Sequence, residues 1–180
     1  MADFDGDGAQ DVFLGQNFFG GDTTTARYDA GRGLLLRGHG DGRFSALSSD
    51  QSGIKLYGEQ RACAVADYDG DGRADLVVTQ NGGPTVLFHN QAAPMGLRVK
   101  LHGVPGNPRG VGAVLRLVRP GGLGAACEIH AGSGYLSQDS PTLVLHSLVP
   151  ASAVRVRWPG GVIKTYPVPN GAGEVELAAP

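Results

Sequence analysis

The sequence predicts an all-β protein built from two parts. Glycine contributes 30 of the 180 residues and proline 11, with short apolar runs between them, which is typical of strands joined by tight turns. No apolar pattern of helical period continues for about a dozen residues, so long helices are not expected. In residues 97–102 apolar and polar side chains alternate strictly, which places them on opposite faces of a strand.

An aspartate-rich loop occurs twice in the first half of the chain. Residues 3–11 and 67–75 start 64 positions apart and repeat every acidic and glycine position. Each loop leads into a short apolar run, at residues 12–14 and 76–79. Further strand and turn signals between the loops give about three or four strands per period, which is the size of one propeller blade.

Each loop has the donors that calcium prefers. Alternate residues of a tight loop can point inward, glycine permits the positive φ angles of such a turn, and calcium takes about six to eight oxygen ligands. The carboxylates stand at loop positions 1, 3, 5 and 9, and the backbone carbonyl at position 7 supplies a fifth ligand. The predicted ligands are Asp3, Asp5, Asp7, Ala9 and Asp11 in the first loop, and Asp67, Asp69, Asp71, Arg73 and Asp75 in the second.

Other interpretations of the loops fit less well. An EF-hand needs a glutamate at loop position 12 and flanking helices, but Leu14 and Val78 stand there, inside predicted strands. Magnesium keeps several waters, for which ligand-rich loops leave little room. A solvated acidic turn without metal is the remaining alternative, although four crowded carboxylates would repel one another without a cation.

The composition changes near residues 90–94, which we interpret as a boundary between domains at residues 1–91 and 96–178. The second domain reads as an antiparallel sandwich, with a turn at residues 159–161. Its predicted strands cover residues 97–102, 111–118, 128–131, 142–146, 154–158, 162–166 and 174–177.

Charge and targeting signals narrow the class of protein. The net charge of −2 combines an acidic first half, with 13 acids against 7 Lys and Arg up to residue 95, and a basic remainder. No apolar run is long enough to span a membrane, and no signal peptide is visible. Because the first loop follows Met1 at once, we expect the chain to begin inside a larger architecture.

Cys63 and Cys127 are too few for a disulfide framework, and Cys63 reads as a small buried side chain.

No catalytic constellation is expected. Ser133 lies between glycines but lacks a full nucleophile elbow, because Ala131 takes the first glycine position, so a tight turn is the favoured interpretation. The five histidines show no metal-ligand spacing. Four basic residues alternate along predicted strands, and a shared basic face is one interpretation of them, but no aromatic platform accompanies it, so nucleic-acid binding is not expected. These residues are Arg98, Lys100, Arg155 and Arg157.

The two parts resemble two known families. Residues 2–91, through the doubled loop, resemble the FG-GAP (VCBS-type) repeats of β-propellers. Residues 96–178 resemble the ASPIC/UnbV domain found after such repeats in the cartilage acidic protein family, through residues 110–113, 131–138 and 154–161. The resemblance implies calcium in both loops and a partial propeller of one to two blades followed by a sandwich-like domain. A closed propeller needs about 4–8 blades, so the remaining blades are expected elsewhere.

The resemblance brings no catalytic residues with it, and a binding protein is our leading hypothesis for the function. We expect a non-catalytic, calcium-stabilised adhesion or ligand-binding module, located outside the cell or in the cell envelope, where calcium is plentiful. Its partner would be a protein or a carbohydrate. The alternative is an enzyme, or an accessory subunit of one, with its site in the missing blades or on the ASPIC/UnbV surface.

Overall fold

The structure, a computed structural model, describes residues 1–22, 24 and 31–180. The described residues form 14 strands and one helix of four residues, which confirms the all-β prediction. No helix in this part of the chain has the length and apolar character needed to cross a membrane. The first six strands and the helix are β1 Val12–Leu14, β2 Leu34–Gly38, β3 Phe44–Ala46, α1 Ser49–Ser52, β4 Glu59–Ala66, β5 Asp75–Asn81 and β6 Gly83–Phe88. The remaining strands are β7 Leu97–His102, β8 Val114–Arg119, β9 Gly122–Leu123, β10 Cys127–Glu128, β11 Leu143–Leu145, β12 Ala153–Arg157, β13 Ile163–Pro167 and β14 Glu174–Ala178.

The first half forms two separate three-stranded antiparallel sheets, ordered β1-β2-β3 and β4-β5-β6. Neither sheet closes on itself within the described residues. Phe13 and Leu35 of the first sheet share one buried apolar cluster with Leu76 and Val78 of the second. Each aspartate-rich loop comes immediately before the first or central strand of its sheet, so the sheet fixes the end of the loop.

The second half is a sandwich of two sheets. One has the order β10-β8-β12-β13 with β9 paired to β8, and the other has the order β11-β7-β14. A single core cluster takes Val99 from one sheet and Leu115, Val154 and Val156 from the other, all with no exposed surface. Trp158 joins this core at 3 % exposure, and its indole nitrogen donates to the Tyr166 hydroxyl.

One strand pair of the sandwich is not antiparallel. β14 pairs with β7 in parallel, with Glu174 beside Arg98 and Ala178 beside His102. The reason is that β13 belongs to the opposite sheet, so the chain crosses over before it reaches β7. A crossing of this kind can deliver the next strand in either direction, whereas a tight hairpin gives only an antiparallel pair.

The interpretation of the four basic residues as one shared face is wrong. Arg98 and Lys100 lie on β7, whereas Arg155 and Arg157 lie on β12 in the other sheet. Alternation predicts which residues of one strand share a face, but it carries no information about which strands share a sheet. Three predicted strands are shorter than expected, since β8 begins at Val114, β10 ends at Glu128 and β11 covers only Leu143–Leu145.

Candidate metal centre

The glycines shape both aspartate-rich loops as predicted. Gly6 and Gly8 have φ angles of 74° and 91°, and Gly70 and Gly72 both have 80°, in the left-handed region that other residues rarely adopt. In the first loop the Asp3 carboxylate accepts hydrogen bonds from the amides of Gly6 and Gly8, at 2.7 and 2.8 Å. The first carboxylate of each loop therefore closes the turn that its glycines make possible.

Three of the four carboxylates in each loop converge. One oxygen from each of Asp3, Asp5 and Asp11 lies within 4.8 Å of the others, and Asp67, Asp69 and Asp75 form the matching group. Carboxylate oxygens at this spacing suit a hard cation such as calcium. The donor chemistry of both loops therefore fits the ion that the sequence predicts.

The carboxylate at loop position 5 lies outside these two groups, although Asp71 forms another group with Asp69 and His89. Asp7 pairs with Arg37 of β2 at 3.3 Å, and Asp71 pairs with Arg73 at 2.6 Å. Partial desolvation raises the pKa of Asp71, but hydrogen bonds from Arg73 outweigh it, so this pKa lies below its ordinary value. The carbonyl ligands assigned to Ala9 and Arg73 stay predictions.

The last carboxylate of each loop is the most deeply buried. Asp11 and Asp75 are 2 % and 1 % exposed. Asp11 accepts from the amides of Phe4 and Gly38, both at 2.8 Å. Burial raises the pKa of Asp11, and these two hydrogen bonds partly offset that effect. Position 9 therefore ties the loop to the neighbouring strand, whether or not it also binds a cation.

Negative charge accumulates at Asp5 in the first loop. Burial raises its pKa, and the nearby Asp7 carboxylate raises it further. Arg37 acts in the opposite direction through a contact of 2.6 Å to the Asp5 carboxylate. One arginine faces two of the four carboxylates, so most of the charge of this loop has no partner on β2.

His89 lies beside the second loop, which no motif in the sequence predicts. Its Nε2 lies 3.0 Å from Asp69 Oδ2, and its ring meets the Tyr68 ring edge-on at 5.5 Å between centroids. The antiparallel hairpin of β5 and β6 brings the chain back to the start of β5. His89, which follows Phe88 at the end of β6, therefore lies next to the loop that precedes β5. A prediction of the hairpin between β5 and β6 would have placed His89 near the loop, but the sequence analysis did not predict this hairpin.

The second domain also reaches both loops. Arg98 of β7 places Nη1 3.1 Å from Asp67 Oδ2, and His146 after β11 places Nδ1 3.4 Å from Asp3 Oδ2. Both aspartate side chains are nearly inaccessible to solvent, at 1 % and 6 % exposure. Each loop thus presents its first carboxylate to a basic side chain of the other domain.

A glycine of the first loop lies close to the linker and to the second domain. A Cβ at Gly6 would lie 2.5 Å from Pro94 Cδ and 3.3 Å from His146 Cδ2. In the second loop the carbonyl of Gly72 accepts from the amide of Gly96 at 2.8 Å. The glycines therefore serve two purposes, since they permit the loop turn and let the linker and the second domain pack against it.

A second set of contacts joins the domains beside the loops. The Val65 amide of β4 donates to Asp139 Oδ1 at 2.7 Å, and Val65 O accepts from the Ser140 amide at 2.8 Å. Ser133 Oγ accepts from the Asp139 amide at 2.7 Å, and its own amide donates to Ser137 O. Ser133 therefore lies in a tight turn, as the sequence predicts. A cleft of about 420 Å³ lies between the domains, and Asp3, Asp67, Ser133 and Asp139 contribute to its walls.

Both cysteines are free, and Cys127 lies at the domain interface. Gln10 of the first loop donates from Nε2 to Cys127 Sγ at 3.1 Å. Burial raises the pKa of Cys127 to about 11, with a further contribution from the charge of Asp3. The reactive thiolate is therefore scarce near neutral pH.

Alkylation by iodoacetamide should show this suppression in a Cys63→Ser variant. At about pH 8 we expect Cys127 to react about a hundredfold more slowly in the folded protein than in urea, because an ordinary thiol has a pKa of about 8.5. The rate should rise about tenfold per pH unit up to about pH 11. Equal rates in the folded and unfolded chain would contradict the burial of this thiol.

Comparison with protein-family models gave two matches that divide the chain. An FG-GAP-like repeat matches residues 3–78. A domain described as ASPIC and UnbV matches residues 103–179. A search of curated proteins found no match.

Proposed function

Because the chain belongs to the proteins that join an FG-GAP-like repeat to an ASPIC/UnbV domain, we propose that it is a calcium-stabilised, non-catalytic binding module. FG-GAP domains are typically extracellular, which supports a location outside the cell or in the cell envelope. The partner we propose is a protein or a carbohydrate, recognised by the assembled β domains rather than by a catalytic pocket.

The observation that carries this proposal is the pair of three-carboxylate groups, Asp3, Asp5 and Asp11 and their counterparts Asp67, Asp69 and Asp75. A calcium ion would neutralise part of the repulsion between the three carboxylates of each group. The chain's own residues would hold the loop in shape. Gly6 and Gly70 permit the turn, and the last carboxylate of each loop ties it to backbone amides.

The two three-stranded sheets support the proposal of one to two propeller blades. Both sheets are open, and a closed propeller requires about 4–8 blades. We therefore propose that further blades complete the ring. A calcium ion before β1 and another before β5 would hold equivalent turns in successive blades, which is a structural role rather than a chemical one.

Calcium should raise the thermal midpoint of unfolding, and EDTA should lower it. A cation at about a hundred times its dissociation constant stabilises a folded protein by about 2.7 kcal/mol, which corresponds to a shift of about 5 °C or more. Asp5→Ala and Asp69→Ala should each remove part of the shift, since each deletes one carboxylate from one group.

Asp41→Ala is the matched control, because Asp41 has a side-chain exposure of 54 % and lies in the turn between β2 and β3. It should keep the full calcium response. If calcium changes the midpoint of neither the unmodified chain nor this control, the calcium assignment is wrong.

The alternative is an enzyme or an accessory subunit of one. The cleft between the domains supports this alternative. Ser133 and His130 are among the residues that form this cleft. In the described part of the chain, His130 lies 3.7 Å from Glu128, and the hydrogen bond of Ser133 Oγ is to the Asp139 amide. Covalent labelling of Ser133 by a fluorophosphonate would favour this alternative over the binding module.

A further inference from the structure

The carboxylate of Asp67 has all of its acceptor positions filled. Its Oδ1 accepts from the amides of Gly70 and Asp71, at 2.9 and 3.0 Å. Its Oδ2 accepts from the Gly72 amide at 2.9 Å and from Arg98 Nη1 at 3.1 Å. A carboxylate offers about four acceptor positions, so no position remains for a cation while all four donors stay in place.

The matching carboxylate of the first loop is less occupied. Asp3 accepts from two amides, those of Gly6 and Gly8. His146 faces it from the second domain, but His146 Nδ1 forms no hydrogen bond to a described residue. Two acceptor positions of Asp3 therefore remain available, so the two loops differ although their sequences repeat.

Among the described residues, Arg98 is the one donor to Asp67 that does not come from the backbone of the loop itself. The three amides define the turn, so they cannot leave without unfolding the loop. Arg98 has a second ionic partner outside the loop, because its Nε lies 2.9 Å from Glu174 Oε2 on the neighbouring strand β14, although this contact lacks hydrogen-bond geometry. Its Nη1 lies over Gly70, at 2.6 Å from the position that a Cβ would take there. A cation that binds Asp67 therefore has to displace Arg98.

We propose that Arg98 of the second domain competes with calcium for Asp67 and so weakens calcium binding in the second loop. This inference rests on the proposed function, since it requires that calcium enters the second loop. Arg98 lowers the calcium affinity of the second loop in two ways. Its positive charge repels the cation, and it fills one acceptor position of Asp67. When calcium fills the second loop, it breaks the ion pair between Arg98 and Asp67, which joins the two domains. Calcium binding in this loop therefore weakens the contact between the domains.

The second loop carries its own spectroscopic probe. Tyr68, which is 54 % exposed, lies between Asp67 and Asp69, whereas the first loop has Phe4 at the equivalent position. Terbium bound in the second loop should emit when tyrosine is excited, and calcium added as a competitor then gives the calcium dissociation constant of that loop. Tyr68→Phe should remove most of the emission, which establishes that the signal belongs to the second loop.

Arg98→Gln should lower the dissociation constant of the second loop for calcium by about tenfold or more, because it removes a charge next to a ligand. Arg157→Gln removes the same charge from an exposed position on β12 and should change that constant by less than about threefold. Isothermal titration should show the same gain in affinity at one of the two calcium sites when the unmodified chain is compared with Arg98→Gln.

Two failures are distinguishable. If calorimetry detects no calcium binding in any variant, the proposed function fails, and the inference fails with it. If both loops bind calcium but Arg98→Gln leaves the affinity of the second loop unchanged or weaker, only the competition is refuted. Should Arg98→Gln not fold, Arg98→Met replaces it, and the Nε–H resonance of Arg98 in the unmodified chain must shift as calcium fills the second loop. An unchanged resonance would overturn the inference.

Discussion

Leu115→Ala is expected to lower the free energy of unfolding of the second domain by about 2–5 kcal/mol, the range typical of a fully buried leucine. Leu115 has no exposed surface and lies on β8, between β10 and β12. Its cross-strand neighbours are Cys127 and Val156. Removal of its side chain leaves a cavity that paired strands on both sides cannot close. Urea denaturation followed by the fluorescence of Trp158, which belongs to the same core, measures the loss.

The control for this change is Leu148→Ala. Leu148 is 76 % exposed, so its truncation should alter stability by less than about 0.5 kcal/mol. Equal effects of the two substitutions would show that the sandwich core is not centred on β8.

Asp75→Ala is expected to destabilise the first domain even when EDTA removes all calcium. Asp75 Oδ2 accepts from the Tyr68 amide at 3.1 Å, and Oδ1 accepts from the Asn90 amide at 2.7 Å. Without the carboxylate, two partly buried amides lose their hydrogen bonds, each of which contributes about 0.5–1.5 kcal/mol. Thermal unfolding in EDTA measures this contribution separately from that of the cation.

The comparison with Asp69→Ala makes the test specific. Asp69 belongs to the same carboxylate group but has a side-chain exposure of 33 %, so its removal should matter mainly when calcium is present. A purely cation-binding role for position 9 would make the two variants alike in EDTA, and that result would contradict the structural role of Asp75.

Local signals in the sequence predicted much of the fold. Strict alternation predicts β7 at its observed bounds, Leu97–His102, and a proline and two glycines predict the turn between β12 and β13. These features depend on interactions between residues close in the chain. The parallel pairing of β14 with β7 depends on a crossover between sheets, which no local pattern encodes.

The candidate site divides along the same line. The doubled pattern of aspartate and glycine predicts the loop turns and the convergence of three carboxylates, such as Asp67, Asp69 and Asp75. It does not predict Arg98 or His146, because their contacts join residues far apart in sequence, across two domains. It also does not predict that Asp71 turns toward Arg73. In the sequence the aspartates of one loop look equivalent, and only the positions of the neighbouring charged residues in the fold distinguish them.

The parallel pairing of β14 with β7 also imposes an order on biosynthesis. Residues 97–102 leave the ribosome long before residues 174–178, so one edge of β7 stays open while most of the domain is made. Pairings this distant in sequence form slowly. Glu174, which anchors Arg98, arrives with the same late strand. The second loop is therefore complete in the nascent chain before the residue that contacts its arginine has been made.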